Sequence, residues 1–299
     1  MNTIRRVLCA LLVSCVPIGV IAQDPSVTPQ TLSIEGAVTH VYKSINGVNL
    51  RLHVFDPPNH APSTRRPAIL FFFGGAWTHG TVEQFVPQAR YLAERGMVAG
   101  VADYRVFGRH QTSPFEAMAD AKSAVRWVRS RAGELGIDPD RIVASGGSSG
   151  GHIALSAAVF GPFDEPTEDG RIRSKPDALV LFNPSVDTAR ARSAVARARF
   201  GDRAREGSPL HHLSSGLPPI LILHGKSDTT VPYADVESFC AQAKTLGNQC
   251  ELVGYEDAKH GFFNPQNTKG KWYRETLLEA DRFLTKLGYL RGPAPTQIR

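Results

Sequence analysis

The sequence predicts an α/β protein with a mostly parallel central sheet and helices on both faces, and three observations carry that expectation. Ala68 to Phe73 (AILFFF), Ala178 to Phe182 (ALVLF) and Ile220 to Leu223 (ILIL) are short, unbroken apolar runs, the pattern of strands buried on both faces. Segments with apolar residues at helical spacing lie between them, so strand and helix alternate along the chain. Finally, Arg141 to Gly151 (RIVASGGSSGG) reads as a short apolar strand, a sharp turn of glycines and serines, and the start of an apolar helix, His152 to Phe160.

A length of 299 residues suits one large α/β domain. The formal net charge of +6 is spread along the chain, and no basic stripe with interleaved aromatics points to nucleic acid. Arg5 and Arg6 precede an apolar run from Val7 to Val13 that continues through Val16 to Ile21, and Val20-Ile21-Ala22 stands before Gln23. That is the pattern of a signal peptide over residues 1–22, so the expected location is periplasmic or secreted. The run is too short for a confident membrane span. Leu12-Val13-Ser14-Cys15 resembles a lipobox, which leaves a lipid anchor at Cys15 as the alternative. With the leader removed, Cys240 and Cys250 are the cysteines that remain. In an oxidising compartment they are expected to form a disulfide, the alternative being two buried thiols.

Taken in order, residues 23–37 are rich in Pro, Ser and Thr and read as a flexible lead-in. Val38 to Tyr42 and Asn49 to Phe55 alternate in polarity around Asn46-Gly47, a hairpin signal. A proline-rich loop ends at Pro67, and the strand that follows runs straight into Gly74-Gly75-Ala76-Trp77. A helix is expected over Phe85 to Glu94, a strand over Met97 to Tyr104, and a helix over Pro114 to Leu135 that Gly136 ends before an Asp138-Pro139-Asp140 turn. The segment Asn183 to Leu217 is an insertion carrying Arg190, Arg192, Arg197 and Arg199. It reads as a lid, as cations awaiting an acidic substrate, or as a solvated helix face. Helix over Asp235 to Leu246, strand over Glu251 to Tyr255 and an amphipathic helix over Trp272 to Leu287 complete a domain of residues 38–290, with a tail at 291–299.

The turn within Arg141 to Gly151 matches G-x-S-x-G in two frames, one centred on Ser148 and one on Ser149. In this pattern a serine sits on a strained strand-to-helix turn, with glycines where strand and helix pass too close for a Cβ. The residues alone leave both serines open. A phosphate-binding loop is a poor reading because no lysine follows the glycines. A serine hydroxyl needs a base within hydrogen-bond reach and a third group to orient that base. In α/β-hydrolases the acid and then the histidine follow the serine along the chain, on loops beyond the carboxyl ends of strands. Asp228, directly after ILILHGKS, fits the acid, with Asp187 as runner-up. His260, beside Gly261, fits the base better than His211, His212 or His224. Gly75, Ala76 and Ser149 are the expected backbone donors to a developing oxyanion. No His, Cys or Asp cluster has ligand spacing, so neither metal nor organic cofactor is expected.

The stretches FFFGGAWTHG at 71–80, VADYR at 101–105, GGSSGGHIA at 146–154, ILHGKSDTTVPY at 222–233 and AKHGF at 258–262 together resemble the esterase/lipase superfamily of α/β-hydrolases. The likeness is to its hormone-sensitive-lipase-like and bacterial feruloyl- or acetyl-esterase-like branch, and it runs from about Val38 to Leu287. The resemblance implies an α/β-hydrolase fold, Ser148 rather than Ser149 as nucleophile, and Asp228 and His260 at the acid and base positions. It also implies a small acyl ester substrate, with carbohydrate esters a candidate. Two departures stand out: Phe73 occupies the place of the family's oxyanion-loop histidine and Ala76 that of its last glycine. The large N-terminal helical cap of some relatives is missing, which implies an open site. The competing functions are a peptidase of the prolyl-oligopeptidase type, disfavoured because no propeller domain is found, and a catalytically dead binding module.

Overall fold

The computed structural model describes residues 29–297. The leader at 1–22, the Cys15 anchor and the first part of the lead-in lie outside those residues. Among them, eight strands form one sheet: β1 (Val38–Ile45), β2 (Val48–Phe55), β3 (Arg66–Phe72), β4 (Val98–Ala102), β5 (Ile137–Gly147), β6 (Ala178–Phe182), β7 (Ile220–Gly225) and β8 (Cys250–Tyr255). Their spatial order is β1-β2-β4-β3-β5-β6-β7-β8. The hairpin β1–β2 is antiparallel and pairs antiparallel with β4, whereas the strands from β4 to β8 run parallel. Asn46 and Gly47 at the hairpin tip have φ of 49° and 77°, as a two-residue I′ turn requires.

The connecting helices are α1 (Val86–Glu94), α2 (Phe107–His110), α3 (Pro114–Ser130), α4 (Ser149–Val159), α5 (Ala194–Phe200), α6 (Tyr233–Thr245) and α7 (Lys271–Lys286). From β3 the chain steps outward to β4 and then returns to the other side of β3 as β5. The direction of winding therefore reverses between β3 and β5, and a crevice opens at their carboxyl ends. Phe72, Phe85, Phe182 and Phe263 are fully buried beneath that crevice, with Phe85 stacked on Phe263 at 5.3 Å between ring centroids.

Helix α3 starts where a capping box dictates, with Ser113 accepting from the first turn, Pro114 at its first position and Glu116 reaching back to the Ser113 N–H. It ends at Ser130, earlier than the expected Leu135, because Gly136 turns left-handed at φ 60° and its carbonyl accepts from Arg66 N–H at 2.7 Å. That contact draws Ile137 into register with Arg66, so the Asp138-Pro139-Asp140 segment becomes the start of β5 instead of a free turn.

The part of the lead-in that is described is strapped down, contrary to the flexible segment expected over 23–37. Gln30 donates to Asp103 Oδ2 at 2.6 Å, Arg51 donates to Gln30 at 2.6 Å, and Arg90 donates to the Glu35 carbonyl at 2.6 Å. Composition predicts low intrinsic order but is blind to such long-range partners. Cys240 of α6 and Cys250 of β8 form a disulfide with Cα atoms 5.5 Å apart. No helix of the described residues is long and apolar enough to cross a membrane.

Candidate active site

At the end of β5 the chain must reverse into α4 within one residue, and Ser148 takes φ 55° and ψ −118° to do so. An L-residue held in such backbone costs about 1–3 kcal/mol, so the surroundings must enforce it. They do so through glycines. A Cβ on Gly146 would lie 2.6 Å from the Phe72 carbonyl oxygen, and one on Gly150 would overlap the carbonyls of Phe72 and Phe73. These are the glycines of the frame centred on Ser148. The other frame fails physically, because Ser149 is fully buried as the first residue of α4.

Ser148 Oγ is 2.9 Å from His260 Nε2, and His260 Nδ1 is 2.7 Å from Asp228 Oδ2. His260 follows β8 on a loop in which Gly261, the next residue, has φ 73°, and Asp228 follows β7. The side chain of Asp228 is fully buried. Its Oδ1 accepts from the N–H groups of Thr230 at 2.8 Å and Val231 at 2.9 Å. Burial alone would raise the pKa of this carboxyl, but the contacts from His224 and His260 and the Val231 N–H outweigh it and hold the group well below the usual carboxylate range. An ionised carboxylate there fixes the His260 tautomer with Nε2 free to accept from Ser148.

Asp187, the runner-up acid, does not reach His260. Its Oδ1 accepts from the N–H groups of Ala189 and Arg190 and from the Ser208 hydroxyl, at 3.1, 3.2 and 3.3 Å. The two weaker histidines of the insertion go elsewhere too, His211 to Ser208 and His212 to the Arg205 carbonyl. The third, His224, contributes from behind: its Nε2 lies 2.9 Å from the Val231 carbonyl and 3.4 Å from Asp228 Oδ2.

The oxyanion loop follows β3. Gly75, Ala76 and Trp77 have φ of 142°, 54° and 58°, a run of left-handed backbone that turns the loop over Ser148. Gly74 N–H is already taken by Gln84 Oε1 at 2.6 Å, which leaves Gly75 and Ala76 as the loop's candidate donors. The Ser149 N–H, at the first position of α4, has no partner inside its helix. A cleft of about 430 Å³ lined by Gly75, Ala76, Ser148, Asn183, His260 and Asn264 opens on one side of the serine. Adjoining it is a narrow cavity of about 40 Å³, walled by Ala76, Trp77, Ser148, Asp187, Ala196 and Val231.

The insertion thus walls that cavity through Asp187 and Ala196. Of Arg190, Arg192, Arg197 and Arg199, two are occupied, Arg197 donating to the carbonyls of Ala191 and Arg192 and Arg199 stacking 3.6 Å over the Phe107 ring, while Arg192 lines the narrow cavity itself. The sequence reading missed four supporting residues, Gln84, Trp77, His152 and Asn183. The last of these accepts from Gly261 N–H at 3.3 Å. His152 lay inside the GGHIA match and Trp77 inside GGAWTHG, so both were visible as residues but not as partners. Among the described residues no group of three or more His, Cys, Asp or Glu could hold a metal ion.

A parallel sheet with a strained serine at its winding reversal, bonded through an imidazole to a buried carboxylate, defines a serine hydrolase. Thermogutta terrifontis esterase 2, in a structure phosphoramylated by tabun, is 46% identical with a TM-score of 0.83, covering 86% of this chain and 97% of that one. The chain belongs to the esterase/lipase superfamily of α/β-hydrolases, in its hormone-sensitive-lipase-like esterase branch. A butyrate-bound structure of the same Thermogutta esterase is 44% identical with a TM-score of 0.82, covering 86% and 97% of the two chains. The family model BD-FAE matches residues 52–181, and the model of the prolyl oligopeptidase family matches residues 195–285. A probable carboxylic ester hydrolase of Mycobacterium tuberculosis, LipM, is 32% identical over 64% of this chain and 50% of its own length. The chain spans about half the length of the curated relatives it matches.

Proposed function

We propose that the protein is a serine carboxylester hydrolase acting on short acyl esters. Ser148 attacks the ester carbonyl, His260 takes its proton and returns it to the leaving alcohol, and Asp228 holds the imidazole and stabilises the imidazolium. The N–H groups of Ser149, Ala76 and Gly75 receive the oxyanion, and each such donor is worth about 2.7–4 kcal/mol of transition-state stabilisation. Water enters through the open cleft and releases the acyl group. The observation that carries this reading is the unbroken contact chain from Ser148 through His260 to Asp228, 2.9 and 2.7 Å.

The acyl group occupies the narrow cavity and the alcohol the open cleft. A cavity of 40 Å³ has room for about three water molecules, which favours acyl chains of about two to four carbons over a feruloyl group. The open cleft accepts a bulky alcohol such as a sugar. Export through the 1–22 leader completes the proposal, supported by the Cys240–Cys250 bridge, since disulfides persist in oxidising compartments.

The test is hydrolysis of p-nitrophenyl esters from acetate to palmitate by the wild type, Ser148→Ala and Ser149→Ala. Turnover of short esters that only Ser148→Ala abolishes is the expected result. A wild type that cleaves none of them sinks the esterase reading. The match of residues 195–285 to the prolyl oligopeptidase family favours a peptidase as the second reading, so proline p-nitroanilides belong in the same assay.

A further inference from the structure

His152 is a fully buried, titratable side chain that the proposed mechanism does not use. It sits one turn into α4, and two other stretches of chain converge on it. Trp77, next to Ala76 in the oxyanion loop, has its Nε1 3.3 Å from His152 Nδ1. His152 Nε2 is 2.8 Å from the Gly207 carbonyl of the insertion. A carbonyl only accepts and an indole N–H only donates. The ring is therefore neutral, with its hydrogen on Nε2 and its lone pair on Nδ1 aimed at Trp77. Burial pushes the ring down to about 4, opposed by the contact to Gly207, so neutrality holds at ordinary pH. Phe200 of α5 closes the junction edge-on, 4.9 Å from Trp77 and 5.5 Å from His152 between centroids.

Trp77, one partner in this junction, borders the reacting centre. Ala76 and Trp77 hold left-handed backbone that neither residue favours, and Trp77 and Ala196 both line the narrow cavity. Something outside the loop must hold it there, and the two hydrogen bonds of His152 tie the elbow helix to the oxyanion loop at Trp77 and to the insertion at Gly207 at once. We propose that His152 is a positioning residue: by clamping Trp77 against Gly207 it sets the aim of the Ala76 N–H and the depth of the acyl cavity. This inference rests on the esterase reading of the site.

The test compares wild type with His152→Leu, His152→Gln and Trp77→Phe on p-nitrophenyl acetate, butyrate and octanoate. Diethyl p-nitrophenyl phosphate counts the reactive serines, and thermal melting follows the fold. Leucine removes both hydrogen bonds, so kcat on acetate falls about tenfold to a hundredfold, in line with ångström-scale misplacement of a catalytic group. The octanoate-to-acetate ratio of kcat/KM rises as the cavity loosens. Glutamine, which offers both an acceptor and a donor, recovers most of that loss. Trp77→Phe keeps an aromatic ring but loses the indole donor and its second ring, and moves the ratio the same way. If His152→Leu melts lower but keeps the wild-type kcat and chain-length ratio, the residue is merely structural and the inference is overturned. If that variant does not fold, an unchanged ratio in Trp77→Phe overturns it alone. A wild type that neither cleaves esters nor reacts with the organophosphate is a separate outcome, which removes the esterase reading and this inference together.

Discussion

Two carboxylates with fully buried side chains, Asp228 and Asp120, keep different company. Asp120 of α3 meets permanent cations: Arg105 forks onto both its oxygens at 2.8 and 2.7 Å, and Lys43 of β1 lies 2.8 Å away. Lys43 also reaches Glu165 at 2.9 Å, so the corner is a closed ionic network that staples the hairpin and β4 onto α3. Asp228 meets two imidazoles and two backbone N–H groups. Guanidinium and ammonium groups keep their charge at any working pH, whereas an imidazole gains and loses a proton. A carboxylate surrounded by fixed charge can only hold structure; one facing a group of variable charge can take part in proton transfer.

Substitutions can break the contrast in either direction. Asp228→Asn lowers kcat for a short ester by about 10⁴-fold, because the amide favours the wrong tautomer of His260; stopped-flow assay and near-UV circular dichroism should show lost rate and unchanged fold. Asp120→Ala does the reverse. It leaves Arg105 and Lys43 buried with an incomplete partner set, so urea unfolding should show a loss of about 3–5 kcal/mol, with kcat close to wild type under native conditions. A large kcat defect in Asp120→Ala would erase the distinction.

The acid response sharpens it further. In the folded protein His152 takes a proton only near pH 4, against about 6.5 in the unfolded chain. Protons therefore favour the unfolded chain between those values. Stability is complete above about pH 6.5 and declines as pH falls towards 4, by up to about 3 kcal/mol from this residue. Burial, seconded by Arg109, also pushes His110 down to about 4, which adds to the decline. Asp228 also stabilises less as pH falls, but its depressed pKa places that loss below the ordinary carboxylate range, outside this window. Melting temperature against pH for wild type and His152→Gln should show a shallower slope between pH 4 and 6.5 in the variant. The smallest effect is that of the disulfide: Cys240→Ser with Cys250→Ser costs about 2–3 kcal/mol, as expected for closing a short loop, and reduction of the wild type should match it.

What was legible in the sequence follows the range of the forces involved. The elbow could be read because its residue pattern is local: Gly146 and Gly150 stand two places either side of Ser148, the residue on strained backbone, although the carbonyls that demand those glycines belong to Phe72 and Phe73. The hairpin could be read from Asn46-Gly47 for the same reason. The strands of the parallel core announced themselves by burial on both faces. The end of α3 could not be read, because it depends on Arg66 bonding to Gly136 across 70 positions of chain. The Trp77–His152–Gly207 junction joins residues 75 and 55 positions apart, and no periodicity links them. Likewise the lead-in is ordered by Asp103 and Arg51, which composition within 23–37 does not register.

The elbow glycines also bear on how the gene can vary. At Gly146 and Gly150 the obstacle to a side chain includes the Phe72 carbonyl, which is main chain. No substitution elsewhere can trim a peptide group, so a methyl added at either position has no intragenic suppressor. At Gly147 the obstacle is the ring of Phe263, and a smaller residue there can make room. In a screen for second-site revertants, Gly147→Ala should be recovered with changes at Phe263, while Gly146→Ala and Gly150→Ala return only as true reversions.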